Sequence, residues 1–315
     1  MVVGDDVDDD LALARTLLGA VLFAVEGTAP GVEWATAVLR TSFGAVVVLT
    51  STEGRGWLPA GLFLPSEVLV AWRWESLVSD EDHPHLRMLE GDTDPARVLS
   101  EFIRYVCRTR NGQLSAIASS TTVNNDVRAT IGYEVAVADR VPAAESAVDL
   151  SRPGVGLVDR LDAAGSAAML QRANEIPDSD IRATCLRLAQ AADELVRDAT
   201  RGAAAQVFAR YDHARMPSDA GTEHTRVFGR RVDELASLLS TGYTDRQLLR
   251  DAVYAHGQIA EHPLFRSTTR SASTETVGSI SGDTASGHRR AVPSQAVDHS
   301  RHPVNPALHG EQRSI

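Results

Sequence analysis

Lysine is absent from this chain of 315 residues; all 31 basic side chains are arginine. Without a side-chain amine of tunable pKa there is no Schiff-base or pyridoxal-phosphate chemistry. Without a compact ammonium to sit on a phosphate there is neither a Walker A loop nor a kinase site. Cysteine is nearly absent too. Cys107 and Cys185 stand singly inside stretches of helical spacing, so neither a zinc site nor a disulfide framework is indicated, and both are expected as buried free thiols. Positive charge is outweighed, with 42 acidic residues giving a net charge of -11, and no more than two arginines adjoin. Such a chain repels phosphate backbones and anionic lipid, which argues against a nucleic-acid or membrane-surface partner. Long apolar runs are missing as well. Leu11 to Val25 is interrupted by Arg15 and preceded by Asp5, Asp6, Asp8, Asp9 and Asp10. A membrane span needs about 20 apolar residues and a secretory signal needs a basic leader, so no membrane span is expected. The reading is a cytoplasmic protein, or one exported by a route that uses no cleaved signal.

What is present organises into two folded parts. After a disordered start over residues 1–7, the Asp-rich lead and the spacing of Leu11, Ala14, Leu18, Val21 and Val25 predict a helix packed into a core. Glu33 to Arg40 and the Val-rich Ala45 to Thr50 predict strands joined by a hairpin at Ser42-Phe43-Gly44, and Glu67 to Trp74 a third strand. Asp94-Pro95 marks the start of a helix with Val98, Leu99, Phe102, Ile103 and Val106 on its apolar stripe. Leu114 to Thr122 and Thr130 to Ala138 read as extended. The order predicts an α+β domain over 8–140, an antiparallel sheet with helices on one face. Residues 141–156, rich in Ala, Ser, Pro and Gly without a period, read as a linker. Over 157–265 the stripes Ile181, Cys185, Leu188, Ala192, Leu195, Ala199 and Phe228, Val232, Leu235, Leu239 predict a separate helical bundle. The apolar content then falls away, and 266–315 is expected to be a disordered tail.

Motifs that carry chemistry are few. Glu90, Asp92 and Asp94 near His83 and His85 form a loop without the fixed spacing that aims ligands at one point, and His213, His224, His256 and His262 contain no His-x-x-x-His or Glu-x-x-His pair, so no metal site is expected. There is no Gly-x-Ser-x-Gly elbow, and Ser119-Ser120 reads as a polar strand edge. Gly54-Arg55-Gly56 lacks the remaining glycines of a dinucleotide fingerprint. No catalytic residue and no cofactor are therefore assigned.

The loop Leu49-Thr50-Ser51-Thr52-Glu53-Gly54-Arg55-Gly56-Trp57-Leu58-Pro59-Ala60-Gly61, entered from a strand containing Trp34 and left through Leu64-Pro65, resembles an uncharacterised family of mycobacterial and related actinobacterial proteins. Some members of that family are associated with type VII secretion. The resemblance spans residues 11 to about 140 and carries no catalytic residues with it. The Tyr-x-x-x-Asp/Glu export signal of that system follows none of the five tyrosines, so the resemblance implies an accessory or partner-bound protein rather than a substrate.

Physically, glycines at 54, 56 and 61 free the loop's backbone while Pro59 and Pro65 stiffen its exit. Trp57 either plugs the core or anchors a protein partner, with Arg55 and Glu53 beside it as further partner-binding candidates. The expectation is a non-enzymatic adaptor or accessory protein. The alternative is a hydrolase or transferase using Glu53 as acid or base and Arg55 as an anion clamp.

Overall fold

A computed structural model describes residues 4–54, 56–71, 94–110, 112–211, 229–231, 233–235, 238 and 245–260. Helix α1 (Gly4–Val25) begins within the segment expected to be disordered, because the acidic residues favour the positive end of a helix. Its stripe of Ala14, Leu18, Val21 and Val25 is buried. The hairpin forms as the sequence indicates, β1 (Trp34–Thr41) and β2 (Gly44–Ser51) pairing antiparallel from Trp34 opposite Ser51 to Thr41 opposite Gly44. After the short strands β3 (Leu64–Pro65) and β4 (Val68–Val70), helix α2 (Pro95–Arg110) starts at Asp94, whose Oδ1 accepts from the amides of Ala96 and Arg97 at 3.0 and 3.1 Å.

Strand β5 (Gln113–Ser119) follows, but the first two residues of the segment expected to be extended from Thr130 to Ala138 end a helix, α3 (Asn125–Ile131). The Asn124 side chain caps it by accepting from the Asp126 amide, and this local bond outweighs the strand preference of Thr130 and Ile131. The strand resumes only as β6 (Ala136–Ala138).

The α+β class holds, with two differences in its layout. The sheet, in the order β4-β2-β1-β5-β6, is mixed: β4 runs parallel to β2 and β6 parallel to β5. Helices also cover both faces. Trp34, Val38, Leu49, Ala116 and Ala118 pack under α1, while Ala35, Ala37, Leu39, Val48 and Ile117 pack under Leu99, Phe102 and Ile103 of α2. The strands are apolar on both sides, which is the mark of a sheet buried between layers, and each face holds its own helix. Thr36, fully buried, donates its hydroxyl to the Ala14 carbonyl at 2.9 Å and ties α1 to the sheet centre.

The segment read as a linker is mostly exposed, at residues 142–149 and 151–156, but is tethered at several points. The Val141 amide donates to Ser119, Ala144 to Gly19 and Phe63 to Leu150, and the Val141 and Leu150 side chains are buried in the α1-side core. Strand β7 (Leu157–Val158) pairs with β3. The helical part comprises α4 (Arg160–Ala164), α5 (Ala167–Glu175), α6 (Ile181–Tyr211), helical residues at 229–231 and 233–235, and α7 (Asp245–Ala260). Ile181, Cys185, Leu188 and Ala192 face α7 as their spacing predicts. Cys185 is a buried free thiol, pushed up to about 11 by burial and then by Asp245, and Cys107 is half-buried and free. The described residues through Ala260 belong to one compact unit. The 141–156 segment thus runs along the surface, fastened to it through Val141, Ala144 and Leu150. No described helix is long and apolar enough to cross a membrane. The tail expected at 266–315 lies outside the described residues.

Candidate functional site

The loop singled out by the sequence leaves β2 at Ser51 and reaches β3 at Leu64. Gly54, Gly56 and Gly61 all have positive φ, at 68°, 67° and 79°, a region open to glycine and strained for other residues. Two tight turns result, with the Gly54 amide donating to Ser51 and the Trp57 amide donating to Gly54. They carry Trp57 inward. Its side chain is 3% exposed and its ring lies 6.4 Å from that of the buried Trp34, tilted by 32°. Trp57 therefore fills the α1-side core with Leu58 and Leu62 and presents no anchor to a partner. Arg55 lies outside the described residues.

The other face of the loop meets the helices. Arg160, 1% exposed at the start of α4, donates from Nε to Asp251 Oδ1 at 2.6 Å, from Nη1 to Glu234 and to the Leu58 carbonyl, and from Nη2 to the Asp251 carbonyl. Its guanidinium lies over the Tyr254 ring, 5.1 Å from the centroid. Tyr254 reaches past it: its hydroxyl donates to the Gly56 carbonyl at 2.7 Å and accepts from the Leu58 amide at 3.1 Å. Glu234 also accepts from the Ala60 amide. Arg231 donates to the Glu53 carbonyl, and Arg230 donates to Glu53 Oε1 at 2.6 Å. Glu53 is thus a buried structural carboxylate, its side chain 6% exposed.

Electrostatics follow from this packing. Burial opposes the charge on Arg160, but Glu234 and Asp251 outweigh it and hold the guanidinium protonated. Burial pushes the Tyr254 phenol well above its ordinary value, against the pull of Arg160, so it acts as a neutral hydroxyl. Beside the cluster, Asp159 caps α4 by accepting from Leu161 and Asp162 and is held by Arg250 at 2.8 Å. Although burial opposes it, the Arg250 hydrogen bond keeps that carboxyl below its usual range. Sequence reasoning missed Arg160, Tyr254 and Asp251. The available signal was a set of charged and aromatic residues at positions that α4 and α7 must bury, but the partners of Arg160 and Tyr254 lie 74 or more residues away.

Of the histidines weighed as ligands, only His256 is described. Burial and then Arg172 lower its pKa to about 4. The unfolded chain protonates it near the ordinary 6.5 while the folded protein does not, so the unfolded state binds more protons between these values and stability falls as pH drops from about 6.5 to about 4. Urea denaturation of wild type and His256→Gln across that range checks this: the variant is expected to show the shallower decline. Among the described residues no group of three or more His, Cys, Asp or Glu side chains is placed to hold a metal ion. His83, His85, Glu90 and Asp92 lie outside them, as do His213, His224 and His262.

A separate cleft of about 230 Å³ lies between α2, α3 and the start of β5, lined in part by Ile103, Arg104, Cys107, Leu114 and Glu134. Burial raises the Cys107 thiol, so it is not a ready nucleophile there.

No family model matches the chain, and no curated protein matches it.

Proposed function

We propose that the protein is a non-enzymatic adaptor or accessory protein that binds a protein partner at the hairpin end of its sheet. The observation that carries this reading is the β1–β2 turn. Phe43 at its tip is 99% exposed. Strand β4 pairs with β2 only from Val47 to Leu49, so Gly44–Val46 has no strand on its outer side among the described residues. An open strand edge beside an exposed aromatic suits the addition of an extended segment from a partner, main-chain hydrogen bonds supplying affinity and the ring supplying a contact. With Trp57 and the Glu53 side chain buried, this reading puts the partner surface at the hairpin instead. The resemblance of residues 49–65 extends the reading to an accessory role in type VII secretion.

The hydrolase or transferase alternative has no observation in its favour. Its intended acid or base, Glu53, is buried and engaged by Arg230. Capture experiments with immobilised full-length protein test the adaptor reading. Wild type is expected to retain a protein from the cells that make it, and Phe43→Ser to retain at least tenfold less while keeping the wild-type circular dichroism spectrum. A wild type that retains nothing above background, or a variant that retains as much, would count against it.

A further inference from the structure

Where β1 begins and β2 ends, four buried polar atoms have no hydrogen-bond partner among the described residues: the indole nitrogens of Trp34 and Trp57, the Ser51 hydroxyl and Oε2 of Glu53. Their residues are neighbours in the fold. Trp34 and Ser51 are directly paired across the β1–β2 ladder and so project from the same face, the one under α1. The Trp57 ring is the tilted neighbour of Trp34, and Glu53 stands two residues beyond Ser51 with its other oxygen held by Arg230. Thr50 Oγ1 is also without a partner among the described residues, but Thr50 pairs with Ala35 and lies on the α2 face, so it does not belong to this group.

We propose that this corner is an internal hydration site, occupied by ordered water that joins the two indoles to Ser51 and Glu53. Buried polar atoms left without a protein partner are commonly served by a bound water making two to four hydrogen bonds. The valences also select the occupant. An indole N–H only donates, an ionised carboxylate oxygen only accepts, and a hydroxyl does either. Water accepts two hydrogen bonds and donates two, which matches both indoles on its lone pairs and Glu53 and Ser51 on its hydrogens. A metal cation cannot accept from the indoles, and an anion cannot donate to the carboxylate. The water would link Trp57 to a carboxylate that is itself anchored by Arg230, so the core side of the loop and its helical side share one hydrogen-bonded path.

Water-selective NMR on the full-length protein with labelled tryptophan tests this, the indole signals being assigned through Trp34→Phe and Trp57→Phe. Both indole N–H protons are expected to show cross-peaks to water with the sign of a long-bound molecule. Glu53→Leu removes the acceptor and is expected to abolish them. Wild-type spectra without either cross-peak, or a high-resolution crystal structure with the indole nitrogens bonded directly to Glu53 or packed against carbon alone, would overturn the proposal. So would cross-peaks that survive Glu53→Leu unchanged. If that variant does not fold, the wild-type cross-peaks decide.

Discussion

Arg160→Met is expected to lower folding stability by about 3 to 5 kcal/mol, the usual cost of removing one partner from a buried ion pair. The effect is large because the guanidinium is shared. Asp251 and Glu234 both depend on it, and neither can recover its hydration, since the side chains are 2% and 13% exposed. Its Nη1 also serves the Leu58 carbonyl, so the variant leaves a buried main-chain acceptor short of a donor and takes the guanidinium away from both carboxylates. The stacked contact with Tyr254 is lost with the charge. Chemical denaturation of wild type and variant measures the difference. Replacing the whole set, Arg160→Met with Glu234→Leu and Asp251→Leu, is expected to recover much of the loss, because the apolar trio has no charge to desolvate. A single variant as stable as wild type would show that the cluster contributes no net stability.

Trp57→Ala is expected to cost a similar amount, about 3 to 5 kcal/mol, from lost transfer energy and the cavity left beside Trp34. The cavity cannot close easily. Leu58 is held by Tyr254 and Arg160, Leu62 packs in the same core, and the positive-φ glycines at 54, 56 and 61 shape the loop that carries them. Trp57→Phe keeps most of the ring volume and is expected to cost clearly less. Were Trp57 an exposed anchor instead, truncating it would leave the melting temperature nearly unchanged; thermal unfolding of the two variants separates the cases.

The local structure was legible wherever short-range chemistry determines it. The α1 stripe, the Ser42-Phe43 turn and the Asp94-Pro95 start of α2 each depend on residues within one or two turns of one another, and each appears at its expected place. Helix α3 escaped because a single Asn124 cap overrode β-branched residues. The second helical layer escaped because a strand apolar on both sides does not say which helix covers it. The tethers of 141–156 escaped because single contacts such as that of Ala144 with Gly19 carry no periodic signal. As for the candidate site, the sequence located the loop through its glycines, prolines and tryptophan, but not its purpose. That purpose depends on Arg160 and on α7, at separations where no sequence pattern reports contact. Glu53 and Trp57 thus carry the residue types of a binding site and the burial of a structural one.

The central claim is that the 53–61 loop joins the sheet and the helices into one cooperative unit. Hydrogen exchange on the intact protein at rising urea tests it most directly. Amides of β1, of residues 56–64 and of α7 are expected to lose protection together at one midpoint, and in Arg160→Met to do so together at a lower one. Protection of β1 and β2 that persists after α7 has opened would contradict the account, because the sheet domain would then stand without the helices that grip its loop.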